Sequence, residues 1–146
     1  MSKFAIATAA ILFLLCGLRP CAATAATTAH ADAKSSAIKV ADAWLKIIDG
    51  GKYDDSWKQA STFFRDHVSE EQWTQQVGPA RRSLGAVISR KVMSVKYITT
   101  MPGAPNGQYV VIHYQSSFEH RKPATETVTP MLDNDGQWRV SGYYIK

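Results

Sequence analysis

The fold is decided at residues 85–97, which read GAVISRKVMSVKY. In this stretch the spacing of apolar residues changes from the three-and-four repeat of a helix to the alternation of a β-strand. The apolar residues from Met93 to Tyr97 alternate with polar ones, whereas Ile88 lies in the opposite phase. We therefore expect a bulge or bend near Arg90-Lys91, with helices before the stretch and strands after it.

Two helices are predicted at the start of the domain. The first begins at Ala37 and ends at Gly50-Gly51, because its apolar residues recur at spacings of three and four up to those glycines. The second helix is shorter and runs from about Asp54 to Phe64. Both helices carry apolar faces, so both are expected to pack on a sheet.

A third helix has the clearest start signal in the chain. Ser69 is in the position of an N-cap, and Gln72 follows three residues later to complete a capping box. Val68 is placed to pack on Trp73, and Gly78-Pro79 is expected to kink or divide the helix. The tryptophans of the three helices are assigned to the core, with a ligand-binding aromatic box as the alternative: Trp44, Trp57 and Trp73.

Four strands are predicted in the second half of the chain. Turn-forming residues at 102–107 and 133–136 and a charged loop at 119–123 separate them, which is typical of antiparallel neighbours. The first strand is the stretch quoted above, and the other three are Tyr109–Phe118, 125–132 and Trp138–Ile145.

This order of elements predicts an α+β fold. Three N-terminal helices would pack on one face of a curled four-stranded antiparallel sheet. A cone of the cystatin-like or NTF2-like kind suits the order of elements, because a long strand that curls around a helix needs a bulge.

The N-terminal segment predicts export. Lys3 precedes an apolar stretch at residues 4–18, and small residues follow it, as in a secretory signal peptide cleaved after Ala25 or Ala31. The apolar stretch is shorter than the roughly 20 residues of a membrane span, so no stable span is expected after cleavage. We interpret residues 1–31 as signal peptide, 32–36 as a flexible lead-in and 37–146 as a single domain. The expected location is the bacterial periplasm or the medium.

Composition excludes several functional classes. The chain has 146 residues, 45% of them hydrophobic and 20% charged, which is typical of a single globular domain. Both cysteines, Cys16 and Cys21, lie in the predicted signal peptide, so the exported domain has no thiolate for catalysis or zinc binding. Metal-binding HExxH, nucleophile GxSxG and glycine-rich phosphate motifs do not occur, and we expect neither a metal nor a cofactor. Export argues against nucleic acid as a partner.

One strand carries candidate binding residues on a single face. Tyr109 and His113 alternate to the outer side of the sheet, where His113 is a candidate acid, base or hydrogen-bond partner. The alternative is a surface histidine near Lys96 and Arg139. The same face is a candidate for homodimer formation, and protonation of His113 beside these cations would oppose association as the pH falls. Three basic pairs are interpreted as solvated surface: Arg81-Arg82, Arg90-Lys91 and Arg121-Lys122.

The motifs of the domain resemble those of a known family, the domain of unknown function 4019 family of small exported bacterial proteins. The resemblance runs from about Val40 to Lys146 and implies an envelope or secreted protein, without an activity or a catalytic residue. Four polar residues stand out in matching positions, and an Arg–Glu pair among them would fix strand register: Arg82, Arg90, Glu126 and Arg139. The resemblance depends on Ala43-Trp44-Leu45, Asp49-Gly50-Gly51-Lys52-Tyr53, Gln72-Trp73, Leu84-Gly85, 102–107, Glu126-Thr127-Val128-Thr129 and Gly136-Gln137-Trp138-Arg139-Val140.

The sequence leaves three functions open. The first is a non-enzymatic exported module that binds an envelope partner or a small apolar ligand. The second is an enzyme with an NTF2-like pocket that uses general acid-base catalysis. The third is a structural or inhibitory cystatin-like module. An ionisable side chain that points into a closed cavity would distinguish the enzyme from the others.

Overall fold

Four helices precede four strands in the computed structural model, which describes residues 22–146. The α+β class is therefore confirmed, with the strands forming a curled antiparallel sheet in the order β1-β2-β3-β4. The assignment to a cystatin-like or NTF2-like cone stays a prediction. The elements are α1 (Ala22–Asp49), α2 (Tyr53–Lys58), α3 (Thr62–His67), α4 (Glu70–Leu84), β1 (Val87–Ile98), β2 (Tyr109–Phe118), β3 (Ala124–Leu132) and β4 (Trp138–Ile145).

The expectation of three helices was wrong, because the second predicted helix is two helices. The backbone at Ser61 is extended, and its hydroxyl accepts a hydrogen bond from the Phe64 amide, so Ser61 caps a new helix, α3. The Ser61 amide donates to the Val140 carbonyl at 2.9 Å, which ties this break to β4. A serine in a short polar segment was the signal for the break.

Helix α1 starts earlier than the sequence pattern suggested. Residues 32–36, the predicted flexible lead-in, lie inside α1, and Ala33 is buried. Alanine is the best helix former and no glycine or proline interrupts residues 22–49, so the helix extends past its apolar stripe. The apolar stretch at 4–18 and both cysteines lie outside the described residues.

Helix α4 begins with the predicted capping box but is not divided. Ser69 accepts from the Gln72 amide, and the Gln72 side chain accepts from the Ser69 amide. Pro79 lies inside a continuous 15-residue helix. A Cβ at Gly78 would come within 3.1 Å of Arg82 Nη1 and 3.5 Å of the Tyr53 ring. Gly78 therefore serves close packing rather than a break.

Strand β1 carries two irregularities in place of the single predicted bulge at Arg90-Lys91. The register with β2 shifts between Val87 and Ser89 and again between Val92 and Ser94. The two residues passed over, Ile88 and Met93, are exposed. The two bulges lie on either side of the predicted position. Each bulge shifts the phase of the strand, so that alternate side chains before and after it still face the helices.

The core lies between the helices and the inner face of the sheet. Two predicted core tryptophans, Trp44 and Trp73, are buried, and their indole nitrogens donate to the Ser56 carbonyl and hydroxyl, respectively. Trp57 is half-buried and donates to the Val68 carbonyl at 2.7 Å. Around Trp44 and Trp73, packed rings therefore fill the space between the helices and the sheet. The buried cluster also includes Ala37, Ala41, Leu45, Ile48, Val77, Val110, Ile112, Tyr114, Val128 and Val140.

Candidate functional site

An ionic cluster lies on the inner face of the sheet, next to the packed tryptophans, and Tyr143 contacts both Trp44 and Trp73. It consists of Asp49, Arg81, Arg90 and Glu126, whose side chains come from α1, α4, β1 and β3. Two arginines and two carboxylates balance each other in charge. The cluster joins two of the predicted candidates, Arg90 and Glu126, with two residues that were not predicted.

Glu126 is at the centre of the ionic cluster and is completely buried. Its Oε1 accepts hydrogen bonds from Arg81 Nη1 at 3.3 Å, Arg90 Nη2 at 3.1 Å and the Tyr143 hydroxyl at 2.6 Å. Its Oε2 accepts from Arg90 Nε at 2.6 Å and from the Ser116 hydroxyl. Five donors thus occupy both oxygens, and neither oxygen is open to a substrate.

Asp49 closes the ionic cluster from the C-terminal end of α1. Its Oδ1 accepts from Arg81 Nη2 at 2.6 Å and from Arg90 Nη2 at 3.0 Å, and its Oδ2 accepts from Arg90 Nη1 at 2.8 Å. A carboxylate in the last turn of a helix is opposed by the helix dipole. The two arginines offset this cost and connect α1 to α4 and β1.

Arg81 corrects the interpretation of Arg81-Arg82 as solvated surface. Its side chain is only 5% exposed, and its guanidinium lies 4.7 Å from the centre of the Phe118 ring, whereas Arg82 is exposed. Arg81 follows Val77 by four residues and Trp73 by eight, so it shares the apolar stripe of α4. The sequence analysis missed this burial, although a cation at a position of an apolar stripe was a signal for it.

The ionic cluster changes the acidity of its members. Burial acts to lower the pKa of Arg90, but hydrogen bonds to Asp49 and Glu126 outweigh it and raise the pKa above its ordinary value. Burial, followed by the nearby charge of Glu126, raises the pKa of Tyr143 well above its usual range. Arg90 therefore stays charged and Tyr143 stays protonated at any physiological pH.

A groove opens beside the ionic cluster, between α4 and β4, with a volume of about 280 Å³. Arg81 and Tyr143 belong to both the cluster and the groove, and Arg121 lies at the exposed rim. Within the described part of the chain, no aspartate or glutamate lines it. The α4/β4 groove is lined by Trp73, Gln76, Val77, Ala80, Arg81, Ser83, Leu84, Arg121, Tyr143, Tyr144 and Ile145.

The remaining predicted candidates do not form one site. Tyr109 is buried, with its hydroxyl donating to the Pro105 carbonyl at 2.6 Å, so it anchors the loop before β2. His113 lies four residues further along β2 and is hydrogen-bonded through Nδ1 to the Ser94 hydroxyl at 2.9 Å. Arg139 pairs with Asp133 and Asp135 at the far end of β4. Hydrogen bonds from Arg139 lower the pKa of Asp135 to about 2.

A second opening, of about 450 Å³, lies between the start of β4 and helices α1 to α3. Two of its cations are already paired, since Arg139 binds Asp133 and Lys58 contacts Asp54 and Glu70. Across residues 22–146, no three histidine, cysteine, aspartate or glutamate side chains are grouped to hold a metal ion. None of the described helices is both long and apolar enough to cross a membrane.

Comparison with protein families identifies the chain. The model of the family described as Protein of unknown function (DUF4019) matches residues 40–143, and the protein belongs to this family. The matched region contains the whole ionic cluster and almost all of the α4/β4 groove. No curated protein and no solved structure matches the chain.

Proposed function

We propose that this family member is an exported bacterial binding domain without catalytic activity, and that its ligand occupies the α4/β4 groove. The observation that supports the proposal most is the contrast in how charges are partnered. Inside the fold, five donors occupy Glu126. In the groove, aromatic and apolar side chains share the lining with the exposed Arg121, and none of the described carboxylates lines it. Such a surface suits a ligand with an apolar part and a negative charge.

The enzyme alternative has less support. General acid-base catalysis needs a titratable group that reaches a proton of the substrate. Both oxygens of Glu126 are occupied, and Tyr143 donates its proton to Glu126. His113 lies on the outer side of the sheet, lines neither of the two openings described above, and is bonded to Ser94. The groove itself is lined by cations and neutral side chains.

Export is supported by the sequence from Lys3 through the apolar residues 4–18 to the small residues up to Ala31. The test is mass spectrometry of the protein released by its native host. We expect the mature chain to start after Ala25 or Ala31. Recovery of an intact N-terminus in the membrane fraction would overturn the export part of the proposal.

Binding in the groove is tested with 2-naphthoate, which combines an apolar ring with a carboxylate. Ala80 lines the groove, so Ala80→Trp should fill it and abolish the calorimetric binding signal. Gln75→Trp places the same side chain on α4 outside the groove lining and should leave binding unchanged. Equal binding by both variants, or no binding by the unaltered protein, would contradict the proposal.

A further inference from the structure

We infer that the partner of the α4/β4 groove is an extended acidic segment of another protein, which joins the sheet as a fifth strand beside β4. This inference depends on the proposed function, because it uses the same groove. Strand addition uses main-chain hydrogen bonds for affinity and alternate side chains for specificity. Three features of the groove favour it.

The first feature is the free backbone of β4. Thr125 and Lys146 exchange both of their backbone hydrogen bonds, at 3.0 and 2.9 Å. In an antiparallel pair such residues alternate with residues whose backbone groups point away from the partner strand. Tyr143 and Ile145 are in the second set, so their amide and carbonyl groups point to the edge of the sheet.

The second feature is the extent of this free edge. At its start, β4 is protected, because the Val140 carbonyl accepts from the Ser61 amide at the beginning of α3. Beyond that point, β4 is the last strand in the sheet order of the described residues. The free part therefore coincides with Tyr143–Ile145, the part of β4 that lines the groove. An unprotected edge is unusual in a soluble domain and is a template for another strand.

The third feature is the alternation of side chains that the groove would meet. On the helix side, an added strand would face the apolar side chains of Trp73, Val77 and Leu84. On the opposite side it would run next to Tyr144, which is 57% exposed. A segment that alternates apolar and charged residues fits both sides, since successive side chains of a strand point to opposite faces.

The charges select an acidic segment. Arg121 is exposed at the rim, and Lys146 lies over the Tyr144 ring at 5.8 Å. The nearby Glu119 carboxylate is engaged by the Ala86 amide at 2.8 Å and does not line the groove. A carboxylate on the incoming strand would meet cations, whereas a lysine would be repelled.

The test uses an acetylated and amidated hexapeptide, Val-Glu-Val-Glu-Val-Glu, and its lysine counterpart. We expect the acidic peptide to bind and the lysine peptide not to bind. Arg121→Glu should weaken binding of the acidic peptide by about 5- to 10-fold, since it replaces an attraction by a repulsion. Lys122→Glu, at the neighbouring exposed position outside the groove lining, is the matched control and should change affinity by less than about twofold.

Strand addition itself is tested by the peptide backbone. Two versions of the acidic peptide carry N-methyl groups on alternate residues, one set in each version. One version should lose binding and the other retain it, because only one set of amides faces β4. Binding should also slow hydrogen exchange of the Tyr143 and Ile145 amides.

The outcomes separate this inference from the proposed function. Equal binding of both methylated peptides, or unchanged exchange at Tyr143 and Ile145, would overturn strand addition. If 2-naphthoate still bound and Ala80→Trp still blocked it, the groove would remain the ligand site. If neither 2-naphthoate nor the acidic peptide bound, both proposals would fail.

Discussion

The ionic cluster and the α4/β4 groove share Arg81 and Tyr143, but their charged side chains differ in whether they have partners of opposite charge. In the cluster, two arginines meet two carboxylates, and Glu126 is fully buried. In the groove, the exposed Arg121 shares the lining with aromatic rings, and no carboxylate among the described residues lines it. Our proposals assign separate tasks to the two: the closed set of charges would stabilise the fold, and the exposed cations at the groove rim would attract a ligand.

The largest expected effect comes from breaking the ionic cluster. Glu126→Gln should lower the free energy of unfolding by about 3 to 5 kcal/mol, because it leaves two largely buried arginines with one carboxylate. Urea denaturation measures the change. Glu119→Gln is the control, since Glu119 is an exposed carboxylate that bonds a single amide. A loss below about 1 kcal/mol for Glu126→Gln would show that the cluster contributes little to stability.

A comparable effect is expected in the packed aromatic region. Trp73→Ala should cost about 3 to 5 kcal/mol, since it removes a buried ring that contacts Trp44, Phe64 and Tyr143. Ser69→Ala should cost only about 1 kcal/mol through the lost cap. Equal denaturation midpoints of the two variants would contradict the account of how α4 is anchored.

Tyr143 gives the ionic cluster a dependence on alkaline pH. Its pKa is raised by burial and by Glu126, so its contribution to stability is complete below the unfolded value of about 10. The contribution is lost as the pH rises from there through the folded value. The stability of Tyr143→Phe should therefore fall less between pH 9 and pH 11 than that of the unaltered protein. Parallel curves of stability against pH for the two proteins would show that the pKa of Tyr143 is the same in the folded and unfolded states.

A substitution at the groove rim should weaken ligand binding and leave the stability of the fold almost unchanged. Arg121→Glu should change the free energy of unfolding by less than about 0.5 kcal/mol, because Arg121 is exposed. The same variant should lose affinity for the acidic hexapeptide. Thermal denaturation and calorimetry on one preparation measure both quantities. A large loss of stability in Arg121→Glu would mean that Arg121 takes part in the charge interactions that stabilise the fold.

A small effect is also expected at the start of α1. His30 is exposed and stacks on Tyr97 with a centroid distance of 4.3 Å, whereas Ala33 is buried. Chains that begin at Ala26 and at Asp32 should differ in unfolding free energy by less than about 1 kcal/mol, since the residues removed are exposed. A chain that begins at Ile38 lacks Ala33 and Ala37 and should be clearly less stable. A large difference between the first two chains would contradict this boundary.

Sequence periodicity predicted the order of elements and the Ser69 capping box, because these are local features. The family resemblance, and not periodicity, singled out Arg90 and Glu126, which contact each other across β2 in the structure. Periodicity missed Arg81, because a stripe defined by apolar residues passes over a cation at the same spacing. It missed Asp49 as well, although an acid in the last turn of a helix indicates a compensating partner. The partners themselves depend on tertiary packing, which no local pattern contains.

The most direct test of the account is a backbone amide spectrum of the purified protein, titrated with the acidic hexapeptide. We predict that the largest shifts occur along Val77–Leu84, at Arg121 and at Tyr143–Ile145, which include most of the residues that line the groove. Shifts centred on His113 and Thr127 would place the ligand on the outer face of the sheet instead. That result would contradict the division between a closed ionic cluster and an open α4/β4 groove.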